Sequence, residues 1–281
     1  MLAHEGHTVE FSWTDWGGDP SVVVGVFLLE GLYLLAVFPM RQRYGWAGEV
    51  DPKRVVSFTL GVWAIFLALY SPLDVLSDEF LFSAHMVQHL ILTLVAPPLL
   101  LMGTPGWLLR PLVRSPQVFR TAKVLTHPIA ALLLFNGVFA AWHIPSIYEA
   151  GLNHLSVHII QHLLFMATGV LMWWPILSPL PELPRLPYAG QVLYLFSLSI
   201  PPAIVGGLIT FSDDVLYATY ASAPRIWGLS AAADQQIGGV MMKLPGFLIF
   251  IVAATIIFFT WVAKEEARDR VEAAERLKNL R

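Results

Sequence analysis

The sequence predicts an all-α polytopic membrane protein: seven transmembrane helices, the N-terminus outside and the C-terminus cytoplasmic. Three observations carry this. Of 281 residues 56% are hydrophobic and only 13% charged, with a mean hydropathy of +0.64, a balance far from that of a soluble domain. The apolar residues gather into runs of about 20, the length that crosses about 30 Å of hydrocarbon as a helix. Lysine and arginine are distributed very unevenly between the connecting loops.

Bounded by proline, glycine and charge, the runs fall at 21–40, 55–70, 81–102, 128–144, 154–176, 192–211 and 237–263. The second and fourth are short. A β-barrel is not competitive, because its strands would alternate and these runs are apolar all round. All but Arg225 and Lys243 of the 17 lysines and arginines lie in the first, third and fifth loops or in the C-terminal tail, which sets those segments on the cytoplasmic side. The chain then divides into an extracytoplasmic segment 1–20, a transmembrane domain 21–263 and a cytoplasmic tail 264–281. An acidic segment precedes the first run, which reads as a span and not as a signal peptide. The tail pairs Glu266 with Arg270 and Glu272 with Arg276 at helical spacing, so it reads as a solvated continuation of the seventh helix.

Composition also bounds the chemistry. There are no cysteines, which excludes disulfides, thiolate metal sites, iron–sulfur clusters and cysteine nucleophiles together. The net charge is −3 and no basic tract is interleaved with aromatics, so the expected partner is the lipid bilayer and not nucleic acid. A phosphate-binding glycine loop, a serine nucleophile elbow and an HExxH helix are all missing; an ordinary hydrolase has no support.

The most informative feature is an internal repeat. Ser83-Ala-His85-Met86-Val-Gln88-His89-Leu in the third run returns as Ser156-Val-His158-Ile-Ile-Gln161-His162-Leu in the fifth. Spacing of i, i+4 puts each histidine pair on one helix face. Both runs cross from outside to inside, so the first histidines lie about 6 Å and the second about 12 Å below the outer boundary, at matching levels. His143 ends the fourth span at the same side, where Pro145 stops the helix, and His154 stands one turn above His158. His4 and His7 lie in the outer tail.

Neutral imidazole suits copper, zinc and iron, and thioethers suit Cu(I). The candidate ligands are therefore His85, His89, His158, His162 and His143. His154, Met86, Met241, Met242, Asp234, His4 and His7 are candidates for a secondary or access role. A lone intramembrane histidine more often hydrogen-bonds a neighbouring helix than binds a metal, and His127 is read that way. Four stacked imidazoles at one depth are costly packing elements and point to function. Haem held axially by His89 and His162 is an alternative to copper, as is a transporter or scaffold whose histidines line a path or join helices. Glu30 and Lys243 are placed to pair inside the membrane. A retinal Schiff base on Lys243 would call for a carboxylate on the third span, which brings His85 and His89 instead.

His85-Met-Val-Gln-His89, Ala96-Pro-Pro, Gly103-Thr-Pro105, Trp142-His-Ile-Pro-Ser-Ile-Tyr148, His158-Ile-Ile-Gln-His162 and Trp173-Trp-Pro175 occur in that order on the seven spans. In this the chain resembles the CtaG family of cytochrome c oxidase assembly factors over most of residues 21–263. The resemblance implies a multi-pass protein of the bacterial plasma membrane, with no turnover of its own, that helps deliver copper to a haem-copper oxidase. Its implied partner is the oxidase subunit carrying the copper centre. The ligand set is not taken from the family and rests on spacing and depth.

Overall fold

The computed structural model describes residues 11–279, and every regular element among them is helical. Those of five residues or more are, in chain order, α1 (Pro20–Tyr44), α2 (Pro52–Tyr70), α3 (Pro72–Glu79), α4 (Phe82–Gly103), α5 (Pro116–Leu125), α6 (Pro128–Trp142), α7 (Pro145–Asn153), α8 (Leu155–Leu177), α9 (Tyr188–Thr210), α10 (Ala218–Ser222) and α11 (Ala231–Asn279). Proline opens α1, α2, α3, α5, α6 and α7. It has no N–H to waste at the first helical position and arrives with helical φ. Asp19, Asp51 and Ser71 accept from the free N–H groups behind it.

Six of these helices, α1, α2, α4, α8, α9 and α11, are long and apolar enough to cross a membrane. The fourth expected span differs. The helix covers only the 15 residues of α6, and α5 precedes it at a bend of 68°. The break falls at His127, whose extended backbone caps α6 just before Pro128. Counting that pair as one span makes seven. The tail does continue the last span, as a single helix of 49 residues.

Two close approaches hold the histidine-bearing helices in place. Pro97 has no N–H for the carbonyl of Thr93, and α4 widens into a π-helical turn over Ile91–Val95 just above it. The indole N–H of Trp173 fills that carbonyl at 3.1 Å, tying α8 to α4. A Cβ on Gly169 of α8 would stand 3.0 Å from the Pro97 side chain and 3.3 Å from the Thr93 Cα. A side chain there would force the neighbouring backbone to give by a few tenths of an ångström. Trp173 and Trp142 are both buried; the Trp173 indole, with its internal partner, does not need the membrane interface.

On one end of the bundle the short helices α3, α7 and α10 meet over α4 and α8. Glu149 of α7 accepts from the Thr219 N–H and hydroxyl at the start of α10, at 3.1 and 2.6 Å. Gln235 of α11 holds the adjoining loop through the Leu216 N–H at 2.7 Å and the Asp214 carbonyl at 3.0 Å. These connections form a roof over the repeated histidines.

Candidate metal centre

The parallel course of α4 and α8 turns the two His-xxx-His faces toward each other. Ring centroids are 4.2 Å apart for His85 and His89, 4.3 Å for His158 and His162, 5.6 Å for His85 and His158, and 5.8 Å for His89 and His162. Of the five candidate ligands, His85, His158 and His162 converge most closely: each offers a ring nitrogen, and these atoms lie within 4.8 Å of one another. His89 instead hydrogen-bonds His85, Nε2 to Nε2, at 2.8 Å. His143 stands at the far edge, 6.3 Å from His89, with its Nδ1–H donating to the Phe139 carbonyl at 2.6 Å.

Burial makes these nitrogens informative. His85, His89, His143 and His162 are buried, and the side chain of His158 is 12% exposed. Among the described residues, the Nε2 atoms of His143, His158 and His162 and the Nδ1 of His89 have no hydrogen-bond partner. Buried polar atoms without partners are costly and uncommon, and a bound cation satisfies them directly. The donor set is all imidazole, which fits copper or zinc and does not suit magnesium or calcium.

A carboxylate that the sequence reading overlooked stands beside them. Asp78 of α3 lies 3.8 Å from His85 Nδ1 and 3.6 Å from His158 Nδ1. Burial pushes its carboxyl above the usual range, and His158 opposes that shift. One turn earlier, burial and the neighbouring Asp78 raise the Asp74 carboxyl to about 8. Asp74 accepts from Gln88 Nε2 at 2.8 Å, so the first glutamine of the repeat anchors α4 to the roof. Tyr220 of α10 reaches His85 Nδ1 at 3.2 Å, Tyr148 of α7 reaches Tyr220 at 3.3 Å, and the Tyr217 hydroxyl donates to the His143 carbonyl at 3.0 Å. Tyr148 closes the Trp142-to-Tyr148 motif, a sequence signal that could have been used. Tyr220 had none, being a loop tyrosine 135 positions from the histidine it meets.

Several expected secondary residues lie elsewhere. Asp234 is fully buried and caps α4, accepting from the Phe82 N–H at 2.8 Å, the Ser83 N–H at 3.1 Å and the Ser83 hydroxyl at 2.5 Å. Its oxygens complete the helix start. His154 is exposed at the N-cap of α8 and is not grouped with the converging three. Met86 and Met242 are buried in an apolar cluster with Phe82, Phe139, Trp142, Tyr148 and Phe165, and Met241 packs against it. That packing accounts for all three without a metal. His4 and His7 lie outside the described residues. Glu30 and Lys243 do not pair: Glu30 accepts from the Thr59 hydroxyl at 2.6 Å between α1 and α2, while Lys243 is exposed on α11.

A family model described as cytochrome c oxidase caa3 assembly factor (Caa3_CtaG) matches residues 31–264. The uncharacterized protein Mb0105 of Mycobacterium bovis is 29% identical over 263 residues, covering 86% of this chain and 39% of its own length. The uncharacterized protein ML1998 of Mycobacterium leprae is 25% identical over 269 residues, covering 90% and 40%. The chain thus spans about two fifths of the length of these relatives. No solved structure matches. With its run of apolar helices and such bacterial relatives, the chain is a multi-pass plasma-membrane protein. It belongs to the Caa3_CtaG family of cytochrome c oxidase caa3 assembly factors.

Proposed function

We propose that this protein helps assemble a haem-copper cytochrome c oxidase by binding a copper ion as cargo in the outer half of the membrane and passing it to the oxidase subunit that carries the copper centre. The observation that carries this reading is the convergence of His85, His158 and His162, with unpartnered Nε2 atoms on the last two, in a chain of an oxidase-assembly family. Copper is the borderline-to-soft ion that neutral imidazoles favour, and it is the metal such an oxidase needs. Haem would require a macrocycle-wide slot between His89 and His162. His85 fills that space, 4.2 Å from one ring and 6.2 Å from the other.

The proposal includes an orientation. The N-terminus and the roof face outward, the basic loops and the end of α11 face the cytoplasm, and the histidines lie near the outer surface by the positive-inside rule. The ion then moves sideways to a client in the same membrane without crossing it.

The test is metal analysis of detergent-purified protein after copper loading, wild type against a His158→Ala, His162→Ala double variant. Wild type should hold about one copper per chain and the variant almost none, because two of the three converging ligands are lost. Equal copper in a folded double variant would remove the reading.

A further inference from the structure

Which nitrogen an imidazole offers to a metal is set by what its other nitrogen does. At His85 the answer comes from a hydroxyl. Tyr220 has a single hydroxyl hydrogen, and it is donated to the Ser77 carbonyl at 2.6 Å. Toward His85 Nδ1, 3.2 Å away, the same oxygen is therefore an acceptor, and Nδ1 carries the proton. Tyr148, at 3.3 Å, must donate to that oxygen as well. His85 Nε2 is left with a lone pair facing the other rings. It now accepts from His89 Nε2–H, which leaves the lone pair of His89 on Nδ1, the atom found without a partner.

His158 follows the same logic with a different acceptor. Its Nδ1 faces the Asp78 carboxylate at 3.6 Å, a charge contact just longer than a hydrogen bond, and its Nε2 has no partner among the described residues. A carboxylate on one side and an open lone pair on the other is the carboxylate–histidine–metal arrangement. Both acceptors stand outside the spans: Asp78 on α3 and Tyr220 on α10. Ser77, beside Asp78, is the residue that orients the Tyr220 hydroxyl.

We propose that Tyr220 and Asp78 are positioning residues for the metal centre, holding His85 and His158 as Nδ1–H tautomers so that both rings present Nε2 to a bound copper ion. The inference rests on the metal-binding reading of these histidines. It adds that the roof, which touches no ion itself, decides which atoms bind one. Removing the Tyr220 hydroxyl leaves the buried His85 N–H without a partner, removing Asp78 takes away the negative charge that favours Nδ1–H at His158, and either change frees the ring to turn or to move its proton to the metal-facing side.

The experiment reads the tautomers directly. Protein carrying 15N-labelled histidine, purified in detergent and free of metal, is compared by NMR as wild type, Tyr220→Phe, Asp78→Ala and, as a remote control, Tyr194→Phe, which removes a buried hydroxyl that bonds the Met172 carbonyl. The expected result is Nδ1–H for His85 and His158 in wild type and in Tyr194→Phe. Tyr220→Phe should alter His85, Asp78→Ala should alter His158, and each should weaken copper binding about 10–100-fold, the usual effect of an outer partner of a metal ligand. Nε2–H at both rings in wild type overturns the proposal without needing any variant to fold. So does unchanged copper affinity in folded Tyr220→Phe and Asp78→Ala. Wild type with the expected tautomers and the expected variant shifts, but no copper binding, supports the positioning and removes the proposed function.

Discussion

Histidine pairs of the same spacing do different work here. His162 belongs to the converging three, whereas the N–H of His89 occupies the lone pair of His85. An ion at His85 must displace that proton. His162→Ala should therefore weaken copper binding more than His89→Ala, and competition titration with a copper chelator measures the difference. Asp234 makes a separate prediction, because its carboxylate serves three donors at the start of α4. Asp234→Ala strands buried N–H groups at about 1–3 kcal/mol each. The loss should appear as a lower melting temperature of metal-free protein, which removal of a mere access residue would not produce. Asp74 makes a third. Its carboxyl is raised to about 8 from 3.8, so the fold favours the neutral form. That contribution is complete below the unfolded value and is lost as pH rises toward the folded one. Asp74→Asn keeps an acceptor for Gln88 and should melt higher than wild type at pH 9, with little difference at pH 4. A thermal melt at each pH checks it.

Among the elements, close approach of backbones fixes the geometry, and glycine sets where it happens. Gly169 lets α8 reach the Thr93–Pro97 stretch of α4, just below the histidines. At Gly206 of α9 a Cβ would lie 2.6 Å from the Gly239 carbonyl of α11. Membrane helices lack a hydrophobic drive to associate, so such small-residue contacts carry much of their packing. Gly206→Val should push α9 from α11 and destabilise the protein by about 1–3 kcal/mol, as overpacking does in other cores. Because α11 also bears Asp234, the same change should loosen the start of α4. Amide exchange at Phe82 and Ser83 should rise.

For the whole molecule the proposed orientation has a plain readout. An extracytoplasmic reporter enzyme inserted after Asp213 should be active, and the same reporter fused after α11 should not. The reverse pattern would set the histidines near the cytoplasmic face and end the proposal of sideways delivery from the outer half of the bilayer. The roof matters at this scale too. It joins three connections, α3, α7 and α10, so the proposed metal centre depends on chain segments from before the third span to before the seventh.

The number of apolar runs, the helical class, the continued last helix and the matched level of the two histidine pairs along their helices were all legible in the sequence. Each follows from hydropathy, helical periodicity or rise per residue, which are local properties of the chain. The 15-residue fourth helix was less so, because its bend depends on backbone geometry at His127 and Pro128. Asp234 as a cap, Glu30 apart from Lys243, Trp173 filling the Thr93 carbonyl, and Asp78 and Tyr220 behind the histidines were decided by the tertiary structure alone. These pairings join positions far apart in the chain. A side chain's partner depends on which backbones approach closely, and no spacing rule along a single helix reports that.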